Sequence, residues 1–219
     1  MCFSVTASFT ASLVLISCGV AALKHAQEKR LRMIAAIPLI FGLQQFAEGM
    51  VWLSFADPRF AFVRMPAAYI FLACAGELWP LWIPISIAQF EGNYKRYVPS
   101  IIAGALCALM SNVYVALYPI SVVAGCNMIY YFDFSQTEYP VLNYYTGIAM
   151  SVLYVIATII PFFIARNKIL LFIGALIAVA YVVSYVAYRE AFTSVWCFFA
   201  ALISILVYVC MRDEKLKRA

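Results

Sequence analysis

Two carboxyls stand inside apolar runs, Glu48 in Ile37–Trp52 and Glu77 in Ile70–Trp82. A charged group at membrane depth costs several kcal/mol unless it is paired, neutralised or hydrated. These are therefore the residues with most chemical capacity. Gln45, Glu48 and Trp52 follow a 3–4 spacing and share one helix face, with Gln44 stacked beside Glu48. Counting from the start of its helix at about 1.5 Å per residue, Glu48 lies roughly 21 Å along, and Glu77 falls near the midplane of the next. Ser111 and Asn112, the stripe Tyr181, Ser184, Tyr185 and Tyr188, and then Arg189, Ser194, Trp196 and Cys197 fall in the same half of their segments.

These residues predict a polar pocket open to the outside, lined by Gln44, Gln45, Glu48, Trp52, Glu77, Asn112, Tyr185, Arg189 and Trp196. In it Glu48 is the main anionic or protonatable group and Glu77 its partner, with the aromatic loop Tyr130, Tyr131 and Phe132 as a cover. The ligand class is a small polar molecule or a cation, bound or transported with or without a coupled proton. The competing reading is structural, since Glu, Gln and Asn also bond one helix to another and Tyr and Trp gather at membrane interfaces. A second constellation uses thiols. Removal of Met1 would leave amine and thiol together on Cys2, on the same side as Cys126 and Cys197, and an N-terminal cysteine can serve as nucleophile with its own amine as base. That alternative is a membrane-embedded enzyme using Cys2 or Cys197, and a Cys2–Cys126 disulfide is compatible with it. A third alternative is a non-catalytic sensor or assembly factor.

The elements that must position these groups are membrane helices. The chain has 219 residues, 66% hydrophobic and 11% charged, with a mean hydropathy of +0.94. Soluble domains carry about 25% charged residues. Segments near 6–23, 34–55, 66–89, 98–118, 142–165, 168–188 and 191–211 each suffice to cross about 30 Å of hydrocarbon. The expected architecture is an all-α, seven-helix membrane domain over 1–211 and a short basic tail over 212–219. Twelve of the fifteen Lys and Arg fall in the first, third and fifth loops and the tail, and three on the other side. By the positive-inside rule the N-terminus is outside, the C-terminus is cytoplasmic, and the long loop 119–141, with Asp133 and Glu138, lies outside. The chain thus reads as multi-pass in the cell membrane. In the third segment, Trp79-Pro80-Leu81-Trp82-Ile83-Pro84 predicts a proline kink that leaves the carbonyls of Gly76 and Pro80 weakly satisfied.

The net charge of +5 is a topology signal and implies no nucleic-acid partner. No lysine lies within a span, which excludes a retinal Schiff base. The single histidine, His25, sits in the first loop, which excludes haem ligated by histidine within the membrane and His-rich zinc hydrolase sites. There is no nucleotide loop, no CxxC pair and no zinc spacing among the seven cysteines, so no cofactor and no metal are expected. Lipid and a small molecule or ion are the expected partners, with homo-oligomerisation open.

The start, MCFSVTASF, resembles an uncharacterised bacterial family of multi-pass membrane proteins that begin Met-Cys-Phe-Ser and continue Ala-Ser-Phe. The resemblance continues through residues 37–52, through the Trp-Pro-Leu-Trp-Ile-Pro run at 79–84 and through Trp196-Cys197-Phe198. It implies a multi-pass chain and supplies no catalytic role.

Overall fold

Apolar runs of this length fold as helices at membrane depth because a helix satisfies every backbone donor and acceptor within itself. The computed structural model describes residues 4–132 and 140–212. It contains seven helical paths long and apolar enough to cross a membrane. The first is α1 (Val5–His25), capped by the Ser4 hydroxyl, which accepts from the Ala7 N–H at 3.2 Å. The second joins α2 (Lys29–Ala35) to α3 (Ile37–Ala56). The third runs through a 3-10 turn (Pro58–Val63), α4 (Arg64–Ala73), a π turn (Cys74–Leu78) and α5 (Trp79–Glu91). Then come α6 (Tyr94–Leu117), α7 (Pro140–Thr158) with α8 (Ile160–Ile164), α9 (Lys168–Ala187) and α10 (Phe192–Arg212). The last two are separated by Tyr188 and a 3-10 turn at Arg189–Ala191.

The second path, α2 with α3, is the most buried of the seven at 67%, whereas α9 is the most peripheral at 22%. Small residues bring α1 hard against α3: Ser8, Ser12 and Gly19 are buried on α1, and the Ser12 hydroxyl donates to the Gly42 carbonyl at 2.8 Å. Such close approach is the usual basis of helix association in lipid. Between α4 and α5 the helix absorbs one extra residue in the π turn, as expected where Pro80 and Pro84 break the regular ladder. The Gly76 carbonyl receives a long thiol contact from Cys107 at 3.9 Å, and Gly104 leaves the Pro80 carbonyl room to approach α6.

One end of the bundle carries the basic loops. There the Trp82 indole donates to the Met33 carbonyl at 3.0 Å, and the Gln89 amide to the Lys29 carbonyl at 2.9 Å. The Glu91 carboxylate accepts from the Tyr97 hydroxyl at 2.7 Å and from the Arg166 backbone N–H. At the opposite end the expectation of helices alone needs correction. Strands β1 (Ile120–Ala124) and β2 (Met128–Phe132) form an antiparallel hairpin, with Val122 opposite Tyr130 and Ala124 opposite Met128. Its inner face enters the bundle: Met128 is fully buried, and Tyr130 stacks on Phe71 of α4 with ring centroids 4.9 Å apart.

Candidate functional site

Gln44, Gln45, Glu48 and Trp52 do share one face of α3, and the bundle closes over it. Their exposures are 0%, 0%, 2% and 8%. The Gln44 oxygen accepts from the Trp79 indole at 2.7 Å, and its amide donates to the Phe71 carbonyl and the Cys197 sulfur, both at 3.4 Å. One side chain thereby ties α3 to α4, α5 and α10. Both polar atoms of Gln44 have partners, and through them it clamps these helices together.

Glu48 is held differently. Its carboxylate accepts from the Gln45 amide at 3.2 Å and from the Ser194 hydroxyl at the start of α10. No basic side chain pairs with it among the described residues. Around it, three buried polar atoms have no partner there either: Gln45 Oε1, Trp52 Nε1 and the Tyr130 hydroxyl. An unpartnered buried polar atom costs about 1–3 kcal/mol, so a group of three beside a carboxylate marks a place that a polar guest would satisfy. Tyr130 belongs to the hairpin. Burial pushes its hydroxyl well above the ordinary phenol range, and the neighbouring Glu48 and Cys197 add to that shift. The cluster therefore offers a carboxyl, an amide oxygen, an indole N–H and a phenol under a hairpin lid.

The remaining expected site residues do not converge on it. Glu77 lies half-buried in the π turn; no hydrogen bond or charge contact joins it to Glu48, and it has no hydrogen-bond partner among the described residues. The extra residue in that turn alters the register that straight-helix counting assumes. Asn112 is exposed and returns its amide to its own helix, at 3.0 Å from the Ala108 carbonyl. Tyr185 and Arg189 are also exposed and line a groove on the flank of α7 and α9. Trp196 is buried but faces another space, donating to the Tyr154 hydroxyl at 3.2 Å and meeting Tyr181 edge-on.

The open pocket expected around Glu48 is thus replaced by a closed polar cluster with separate cavities beside it. A cavity of about 230 Å³ is lined by Ser111, Phe132, Ser151, Tyr154, Thr193 and Trp196, among others. A smaller apolar one of about 50 Å³ runs from Trp196 and Cys197 past Phe162 to Val207. Cys197 is 1% exposed, its sulfur accepts from Gln44, and it lines that narrow apolar space. Cys2, the other thiol considered, lies outside the described residues, as do Asp133, Glu138 and residues 213–219 of the tail. Two participants were not anticipated. Trp79 was legible only as part of the proline run, and Tyr154 had as its signal a lone hydroxyl in the apolar stretch Val152–Ala157.

A model of a family of unknown function (DUF6629) matches residues 1–219. No curated protein and no solved structure matches the chain.

Proposed function

We propose a function from the site alone, because the chain belongs to DUF6629 along its whole length and that family carries no activity to transfer. The protein is a multi-pass membrane protein that takes up a proton or a small cationic or polar ligand at Glu48, beneath the hairpin. The observation that carries this reading is a carboxylate 2% exposed, without a basic partner among the described residues, beside three unpartnered polar atoms. Carboxylates so placed are either protonated or neutralised by a cation, because an uncompensated buried charge costs several kcal/mol. Gln45, Trp52 and Tyr130 supply the further contacts a guest needs, and Tyr130 with Phe71 closes the way out.

The distribution of basic residues supports an orientation with the hairpin outside and the basic loops in the cytoplasm of a cell membrane, so that displacement of the hairpin opens the site outward. Purified protein in liposomes loaded with a pH-sensitive dye, challenged with proton, Na⁺, K⁺ and tetramethylammonium gradients, tests the reading. Wild type moves protons or one of these cations, and Glu48→Gln abolishes the flux with an unchanged thermal unfolding profile. Equal flux in the two proteins removes Glu48 from the mechanism.

A further inference from the structure

The flank formed by α7 and α9 has a use that the Glu48 cluster does not account for. Helix α8 bridges the two helices at the basic end, and towards the hairpin end they stand apart, leaving a groove of about 760 Å³. Its wall along α7 and the start of α8 is largely apolar, stepping through Gly147, Ile148, Val152, Val155 and Ile156 to Ile160, with one hydroxyl at Ser151. From Asn143 to Ile160 this wall runs for roughly 25 Å, most of the thickness of a hydrocarbon core. Its mouth is polar, with Arg189, Tyr185 and Tyr144 all exposed and lining the same opening. Among the described residues Arg189 makes no ion pair or hydrogen bond, although Glu190 is its neighbour in sequence.

A cation and two phenols at one end of a long apolar trough complement an anionic amphiphile lying in the membrane. We propose that the groove is a lateral binding site for one anionic phospholipid, its phosphate at Arg189 and an acyl chain laid along α7 towards Ile160. Arg is suited to the headgroup because its planar donors match phosphate oxygens, and basic pockets between membrane helices are a known means of lipid recognition. The phenols of Tyr144 and Tyr185 supply neutral donors at the same depth. Gly147 lines the trough without a side chain, and a Cβ at that position would meet nothing within 4 Å. Gly147, Ser151 and Tyr181 also line the neighbouring cavity of about 230 Å³, so the seated lipid adjoins that second space.

The test uses the full chain reconstituted in nanodiscs of phosphatidylcholine with a minor share of phosphatidylglycerol, then released for native mass spectrometry. Wild type retains one phosphatidylglycerol per chain in preference to phosphatidylcholine. Arg189→Gln lowers that retention about fivefold, the effect of removing one basic contact of roughly 1 kcal/mol near a lipid surface, and leaves phosphatidylcholine unaffected. Gly147→Phe, at a position where a Cβ meets nothing within 4 Å, removes the retained lipid altogether, with an unchanged thermal unfolding profile as the check that folding is preserved. Equal retention of both lipids, unmoved by either variant, overturns the proposal and makes the groove ordinary lipid contact. A lipid-free dimer broken by Gly147→Phe overturns it equally, because the groove would then be an interface between copies.

Discussion

Gly19→Ala is the sharpest probe of how the Glu48 face is held in place. A Cβ on Gly19 would stand 2.3 Å from the Leu39 backbone nitrogen, against 3.4 Å for ordinary contact, so α1 and α3 must part by about 1.1 Å. The obstacle is backbone and cannot rotate away. Two turns along, the same displacement stretches the Ser12–Gly42 hydrogen bond from 2.8 Å to about 3.9 Å, outside bonding range. Overpacking of this kind costs about 1–3 kcal/mol, and a lost interhelical hydrogen bond in a membrane protein about 0.6 kcal/mol. Alanine recovers about 1 kcal/mol of helix propensity over glycine. The net is a loss of roughly 1.5 kcal/mol. Gly147→Ala makes the same chemical change where a Cβ meets nothing, and it should keep the gain of about 1 kcal/mol. Unfolding of both variants in mixed micelles by SDS titration, followed by tryptophan fluorescence, should therefore separate them by about 2.5 kcal/mol. Equal midpoints, or a Gly19→Ala protein more stable than wild type, would refute the claim that close backbone approach positions α3.

Other outcomes follow from the hairpin and from the turn between α3 and α4. Tyr130→Ala removes a partly buried ring stacked on Phe71, at a cost to hairpin docking somewhat below the roughly 3 kcal/mol of a fully buried aromatic. In a background with the other cysteines replaced by serine, it should make Cys197 reactive to a membrane-impermeant maleimide, whereas wild-type Cys197 stays unlabelled. Asp57 accepts from the Arg59 guanidinium and backbone N–H, at distances from 2.6 to 3.1 Å, which holds its carboxyl below the usual range. Its contribution is present above the ordinary carboxyl pKa and is lost as pH falls through the lowered folded value. Thermal midpoints of wild type and Asp57→Asn, measured between pH 6 and 3 at low salt (conditions chosen to span roughly that titration), should differ at the upper end and converge at the lower; a constant difference contradicts the assignment.

The seven spans were legible because hydropathy sums over some twenty residues, so no single exception masks it. The Gln45–Glu48–Trp52 face was legible for a related reason: α3 is regular from Ile37 to Ala56, and its 3–4 spacing survives folding. Glu77 was misplaced because one inserted residue in the π turn changes the direction of everything beyond it, and prolines announce a disturbance without giving its form. For Asn112, Tyr185 and Arg189 periodicity fixes a face, but it does not say whether that face meets a neighbour or lipid. The hairpin was written in two β-branched and aromatic runs around Gly125-Cys126-Asn127, which match a short strand–turn–strand pattern. That its inner face would enter the bundle depends on Phe71, more than fifty residues away.

The hydrogen bonds at the basic end also set the leverage of the bundle. Trp82 and Gln89 fasten α5 to the α2 backbone, and Glu91 fastens it to α6 and to the turn before α9. A helix of twenty residues is about 30 Å long, so tilting it by about 5° around that anchored end swings the other end through roughly 2.6 Å. Glu48, Ser194 and the hairpin all sit far from the pivot. Small angular play there would open an aperture about as wide as one water molecule, with the anchors at the basic end still closed.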